Sequence, residues 1–175
     1  MERWVVDKAH SEIEFSVRHM MISTVKGQFK DFEIDLNGSP DEPEKVSVNA
    51  RIMTASVYTR DETRDGHLRS ADFFDAEKHP VMTFKSDKVK ALDKNHFEVS
   101  GSLTIRDVTK PVTLSAEIEG RIKDPYGKDR IGLSVTGSIN RKDFGLQWNM
   151  ILEGGGLMVG DKVNMTFHLE ATKNA

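Results

Sequence analysis

Hydrophobic residues fall on every second position along most of this chain. In 12–19, Ile13, Phe15, Val17 and His19 alternate with Glu12, Glu14, Ser16 and Arg18. Successive strand side chains point to opposite faces, so one face here is apolar and the other charged. Val25, Gly27 and Phe29 repeat the pattern, and Phe32, Ile34 and Leu36 resume it one position out of phase. A phase change inside one apparent strand predicts a bulge or a bend. Asn37-Gly38-Ser39-Pro40 then supplies turn residues. Val46, Val48, Ala50 and Ile52 come next, followed after a gap by a less regular run from Val81 to Leu92. Clean alternation returns in Phe97, Val99, Gly101, Leu103 and Ile105 and in Val112, Leu114, Ala116, Ile118 and Gly120. It continues past the Asp124-Pro125-Tyr126-Gly127 turn in Ile131, Leu133, Val135, Gly137 and Ile139, and ends with Val163, Met165, Phe167 and Leu169.

This predicts about eight strands with mostly short turns, which form a closed barrel or a sandwich. A barrel of that size has an interior just wide enough for side chains or one small ligand, and closure removes exposed edges. The stretch 59–80 does not alternate and is read as one or two short helices, followed by Phe73-Phe74 and closed by His79-Pro80. A second short helix or turn is expected at 141–146, and Gly154-Gly155-Gly156 is read as a flexible turn. Gly27, Gly101, Gly120 and Gly137 share the parity of the apolar residues in their strands. An interior strand glycine marks either a bend or the close approach of another group. Four of them are read as curvature or as room for a ligand.

Composition narrows the function. The chain has 25 Lys+Arg against 28 Asp+Glu, net -3, and no basic stripe, so nucleic acid is not an expected partner. No cysteine is present, which removes thiolate nucleophiles and Cys-based zinc sites. No apolar run approaches the roughly 20 residues of a membrane span. The opening Met1-Glu2-Arg3-Trp4-Val5-Val6-Asp7 lacks a basic n-region and an apolar h-region, so the expected location is cytoplasmic, or extracytoplasmic if a leader was removed. No HExxH or similarly tight ligand spacing joins the six histidines, and Ser11 lacks a nucleophile elbow. The expectation is no catalytic residue, no cofactor and no metal.

Several segments resemble the YceI-like family: Trp4 to His19, Val25-Lys26-Gly27-Gln28-Phe29, His67-Leu68-Arg69-Ser70 with Asp72-Phe73-Phe74-Asp75 and His79-Pro80, Val99 to Ile105 with Thr109-Lys110-Pro111-Val112, and Arg141-Lys142-Asp143-Phe144-Gly145-Leu146. The resemblance spans nearly the whole chain. It implies one domain over 1–175, an all-β, antiparallel, eight-stranded lipocalin-like barrel that holds a polyisoprenoid or other long amphiphilic lipid in its pore.

The candidate ligand-binding set is the apolar face: Phe15, Val17, Phe29, Val99, Leu103, Ile105, Leu114, Ile118, Leu133, Val135, Met165 and Phe167. His19 joins it at a barrel end, and Arg141 and Phe144 join it from the 141–146 turn. The plain alternative for each apolar residue is ordinary core. Arg69, Arg106 and Arg141 lie next to turns, where a guanidinium either grips a head group or is a solvated charge. Phe73-Phe74 either plug one barrel end or cover an outer apolar patch. Burying a CH₂ contributes roughly 0.8 kcal/mol, so three isoprene units give on the order of 12 kcal/mol gross against binding costs of about 4–15 kcal/mol. Two other classes stay open: an enzyme for a small apolar substrate using His19, and a packed barrel without a ligand. A homodimer is the alternative to a monomer.

Overall fold

The computed structural model describes residues 2–150 and 158–174. Its strands are β1 (Arg3–Val6), β2 (Glu12–His19), β3 (Ser23–Phe29), β4 (Phe32–Asn37), β5 (Ser47–Met53), β6 (Val57–Tyr58), β7 (Val81–Ala91), β8 (His96–Ile105), β9 (Val108–Lys123), β10 (Asp129–Asn140) and β11 (Val159–Asn174). One helix, α1 (Glu62–Arg69), lies between β6 and β7. The sheet runs β1-β4-β5-β7-β8-β9-β10-β11 and closes through β1–β11, every pair antiparallel. Strands β2, β3 and β6 continue β1, β4 and β5 beyond short breaks, and pair as β11–β2, β2–β3 and β3–β6. The result is a closed antiparallel barrel of eight staves, three of them kinked.

The phase change at 29–32 is one of those kinks. Lys30 and Asp31 leave the ladder, and both Phe29 and Phe32 turn inward and are buried. The first strand carries only four residues and lies outside the alternation read from the sequence. It nevertheless closes the ring: Trp4 faces in and packs with Ile131 and Ala171, and its Nε1 donates to the Gly38 carbonyl at 3.0 Å. This end is the barrel's floor.

The other end carries the irregular segments. Asp61 caps α1 by accepting from the Arg64 amide at 3.0 Å. The stretch 59–80 thus holds one helix and a returning loop. A 3₁₀ turn spans Arg141–Phe144 and is ended by Gly145 in the left-handed region (φ 79°). The Gly154-Gly155-Gly156 turn lies outside the described residues.

The glycines do not share one role. At Gly27 a Cβ would collide with the Phe15 ring, and at Gly137 with Leu114. At Gly101 it would strike the Lys85 carbonyl, beside the β7 bulge that shifts the register between Ser86 and Lys88. Neighbouring groups of the protein already occupy these three gaps. Gly120 is a correction to the inward reading. A bulge in β9 places Glu119 between Ile118, opposite Leu133, and Gly120, opposite Gly132. Gly120 therefore faces outward, is exposed, and has open space where a Cβ would sit.

Gly101→Ala is expected to destabilise the barrel by about 1–3 kcal/mol, because the backbone must give way. Gly120→Ala should stay within about 0.5 kcal/mol of wild type. Equal urea midpoints for the two variants would contradict the assignment of faces.

Candidate functional site

The interior is packed unevenly. On β5, β7 and β8 the inward residues Ala50, Ile52, Met82, Phe84, Val89, Phe97, Val99, Leu103 and Ile105 are buried. Across the barrel, Phe15 and Val17 of β2, Leu133, Val135 and Ile139 of β10, and Val163, Met165 and Phe167 of β11 face in as well, yet keep accessible surface. Inward residues that stay accessible border open space. That space is a cavity of about 710 Å³ running from the Trp4 floor to the opposite mouth. Its size lies within the range of small-molecule pockets.

Of the residues predicted from the sequence, the cavity is lined by Phe15, Val17, His19, Phe29, Val99, Leu103, Ile105, Leu114, Ile118, Leu133, Val135, Arg141, Met165 and Phe167. Phe144 is a correction: it is 2% exposed, packs into the core beneath the 3₁₀ turn, and does not border the cavity. A turn residue out of register with any strand carries no parity from which to read its direction.

Arg141 borders the cavity but is not placed to grip a head group. It is 2% exposed. Its Nε donates to the Gly160 carbonyl (2.8 Å), Nη1 to those of Leu146 (2.6 Å) and Trp148 (2.9 Å), and Nη2 to that of Val159 (3.3 Å). Asp161 lies 3.8 Å from Nη2. Burial pushes its pKa below the ordinary guanidinium value, partly opposed by Asp161. This fork of donors ties the 141–148 loop to the start of β11. Arg106 is engaged in a similar way. It sits with Asp107 at the two left-handed positions of the β8–β9 turn (φ 52° and 63°), and its Nη1 donates to the Phe73 carbonyl at 2.9 Å.

The mouth is built from residues that the alternation could not reveal. Asp65, buried on α1, accepts from the Thr59 amide (2.8 Å) and hydroxyl (2.5 Å). Arg64 donates from Nε and Nη2 to the hydroxyl and carbonyl of Thr59, both at 2.8 Å. This network pins α1 over the barrel end. Phe73 and Phe74 both line the cavity, so they plug the end and do not cover an outer patch. Phe74 stands edge-on to Phe29 (centroids 5.6 Å), and Phe29 packs against Phe15 (5.4 Å). His67 lies edge-on to both Phe73 (5.1 Å) and Trp148 (4.6 Å), and its Nε2 is 2.8 Å from Asp72. Beside this aromatic corner, Arg18, His19, Asp61, Thr63, Arg64, Met150, Met158 and Val159 complete the rim. Asp61 had a readable signal as a helix cap before a charged run. Trp148 sits in a segment with no periodicity and gave none.

Elsewhere, Asp7, His10 and Glu170 converge on the outer surface near β1 and β11. Arg130 Nη1 lies 2.8 Å from Glu170 and 3.6 Å from Asp7, so the cluster is an ion-pair network. The hydrogen bond to Asp7 raises the His10 pKa and lowers that of Asp7. Among the described residues no helix is long and apolar enough to cross a membrane.

A closed antiparallel barrel with an apolar interior cavity and one partly capped mouth is a lipocalin-like architecture. The YceI-like domain family matches residues 4–171, and the chain belongs to that family. The UPF0312 protein of Staphylococcus epidermidis is 38% identical over 164 residues, 93% of each chain. The Campylobacter jejuni YCEI protein superposes with TM-score 0.78 at 37% identity, over 90% of both chains. A polyisoprenoid binding domain from Saccharophagus degradans, implicated in plant cell wall breakdown, shares the fold at TM-score 0.72 and 15% identity, over 98% of both chains.

Arg141→Lys retains one charge but not the fork, and leaves buried carbonyls unpaired. It should lower stability by about 2–4 kcal/mol, read as a shifted urea midpoint. An unchanged midpoint would show that Arg141 is not the tie described.

Proposed function

We propose that this protein binds a long apolar amphiphile, a polyisoprenoid or a lipid of similar shape, inside the barrel and releases it chemically unchanged. The observation that carries the reading is the 710 Å³ apolar cavity, along which the inward residues of β2, β10 and β11 pack on the core yet keep accessible surface. A barrel folded only for stability would fill this space, since interiors are otherwise packed to crystal-like density. The cavity is long, runs floor to mouth, and is apolar along its middle, which suits a chain threaded lengthwise. Its polar groups gather at the mouth, where Arg18, His19, Arg64 and His67 stand around the rim. The polar end of the ligand belongs there, and its hydrocarbon tail points to Trp4. The shared fold with a polyisoprenoid binding domain supports the same ligand class.

Affinity should rise with tail length until the tail reaches the floor, because each added CH₂ contributes roughly 0.8 kcal/mol while the tail still finds apolar wall. Carriage or storage fits this arrangement, since a ligand held by dispersion and exclusion from water needs no reaction to leave.

Val135→Trp and Met165→Trp place indole rings in the open half of the barrel. Each is expected to weaken binding of a graded prenol series about tenfold or more, with a cooperative melt retained. Unchanged affinity in folded variants would place the ligand elsewhere.

A further inference from the structure

The hairpin that joins β2 to β3 breaks two rules at once. Met20 and Met21 occupy the central turn positions, both in the left-handed region (φ 53° and 62°). Such turns favour Asn-Gly or Asp-Gly, because a side chain with a Cβ is strained there. Met20, Met21 and the following Ile22 are also 41%, 60% and 83% exposed. Neither local conformation nor solvation selects apolar residues at this tip. The two-residue turn between β8 and β9, whose residues are also both left-handed, uses polar Arg106-Asp107. A strained, solvated apolar tip persists where something outside the fold uses it.

Its position says what. The Met20 amide donates to the Met158 carbonyl at 2.7 Å, and the Met158 amide to the Met150 carbonyl at 2.9 Å. The tip is therefore continuous with Met158 and with Met150, which is 52% exposed, and both of these border the cavity mouth. The apolar lip is an extension of the apolar interior. The hairpin's own charged residues nearest the tip, Arg18 and Lys26, are both cationic. From Phe15 to Lys30 the hairpin carries Arg18, Lys26 and Lys30 and no acidic residue, although the chain as a whole is net -3. Arg18 lies against the tip, its Nη2 donating to the Met21 carbonyl at 2.9 Å. On the neighbouring strand, Asp161 is 3.4 Å from Lys142 and 3.8 Å from Arg141. Exposed apolar side chains flanked by Arg18 and Lys26 match the acyl and head-group layers of an anionic bilayer.

We infer that the β2–β3 tip docks the barrel mouth-down on an anionic lipid bilayer, the surface from which the cavity exchanges its ligand. This rests on the lipid-binding reading above. The tip inserts Met21 and Ile22 among acyl chains, while Arg18 and Lys26 meet phosphates. A ligand then passes from bilayer to cavity along the methionine lip without crossing water.

The test is co-sedimentation with phosphatidylcholine vesicles containing or lacking phosphatidylglycerol, together with native mass spectrometry of each variant after incubation with dispersed prenol. The tip variant is Met21→Ser with Ile22→Ser. The control is Ile122→Ser with Tyr126→Ser, two exposed apolar residues at the floor end. Wild type and control are expected to bind the anionic vesicles, and the tip variant to bind them about tenfold or more weakly while still taking up dispersed prenol. Ile22→Trp should shift its emission to the blue on the same vesicles. Vesicle binding that is absent in wild type, or undiminished in the tip variant, overturns the docking surface whatever the cavity holds. A concentration-dependent dimer lost in the tip variant, with no vesicle binding, overturns it in favour of a second copy. Tip-dependent vesicle binding with no prenol uptake supports the docking surface and strikes the lipid-binding reading alone.

Discussion

One edge of β11 is shared between two strands: its N-terminal half pairs with β2 and its C-terminal end with β1, while its other edge runs the length of β10. That sharing joins the last strand to the first and closes the ring. Closure turns the inward residues toward one shared lumen, and among the described strands only the two-residue β6 is paired on one side alone. It also sets the interior width, because strand number and tilt determine barrel diameter. Eight staves leave a lumen that large side chains from one wall reach across only in part. The buried wall on β5, β7 and β8 supplies the core that holds the fold. The wall on β10, β11 and β2 is then free to border empty space without loss of the barrel.

The two ends divide the remaining work. At the floor, Trp4 packs against Ile131 and Ala171 and satisfies its one donor on Gly38. At the mouth, the cover is assembled from loops, and each loop is fastened by a charged group to backbone. Arg141 fastens the 141–148 loop, Arg106 fastens the loop at Phe73, and the Thr59–Arg64–Asp65 network fastens α1. Polar groups thus hold the cover in place while aromatic rings do the covering. Such a mouth is closed over Phe15 and Phe29 and lipped by methionine at Met20, Met150 and Met158, whose unbranched, polarizable side chains adapt to varied apolar partners.

Most of the barrel was legible because a strand's period of two is written directly into the chain. Most staves, the break at 30–31 and the inward set on the regularly alternating strands follow from alternation alone. Where one residue is inserted, parity reverses without warning, which is why Gly120 was read as inward when the β9 bulge turns it out. Four residues are too few to show a period, so β1 and its Trp4 floor went unread. Turn residues have no parity at all: Phe144 faces core, Arg141 is drawn to carbonyls that only the folded loops bring together, and Trp148 gives no local sign that it meets His67. The apolar wall of the cavity was therefore readable strand by strand. Its mouth was not, because contacts between distant loops create it.

The central claim is that the open half of the barrel is a seat for a long apolar molecule. Native mass spectrometry of protein purified without detergent, followed by organic extraction, tests it most directly. The account predicts a discrete added mass that extracts as a prenyl or other long-chain lipid and disappears in Val135→Trp. A clean apo mass that persists after incubation with prenols of graded length would contradict it, and would leave a barrel whose open half serves no ligand.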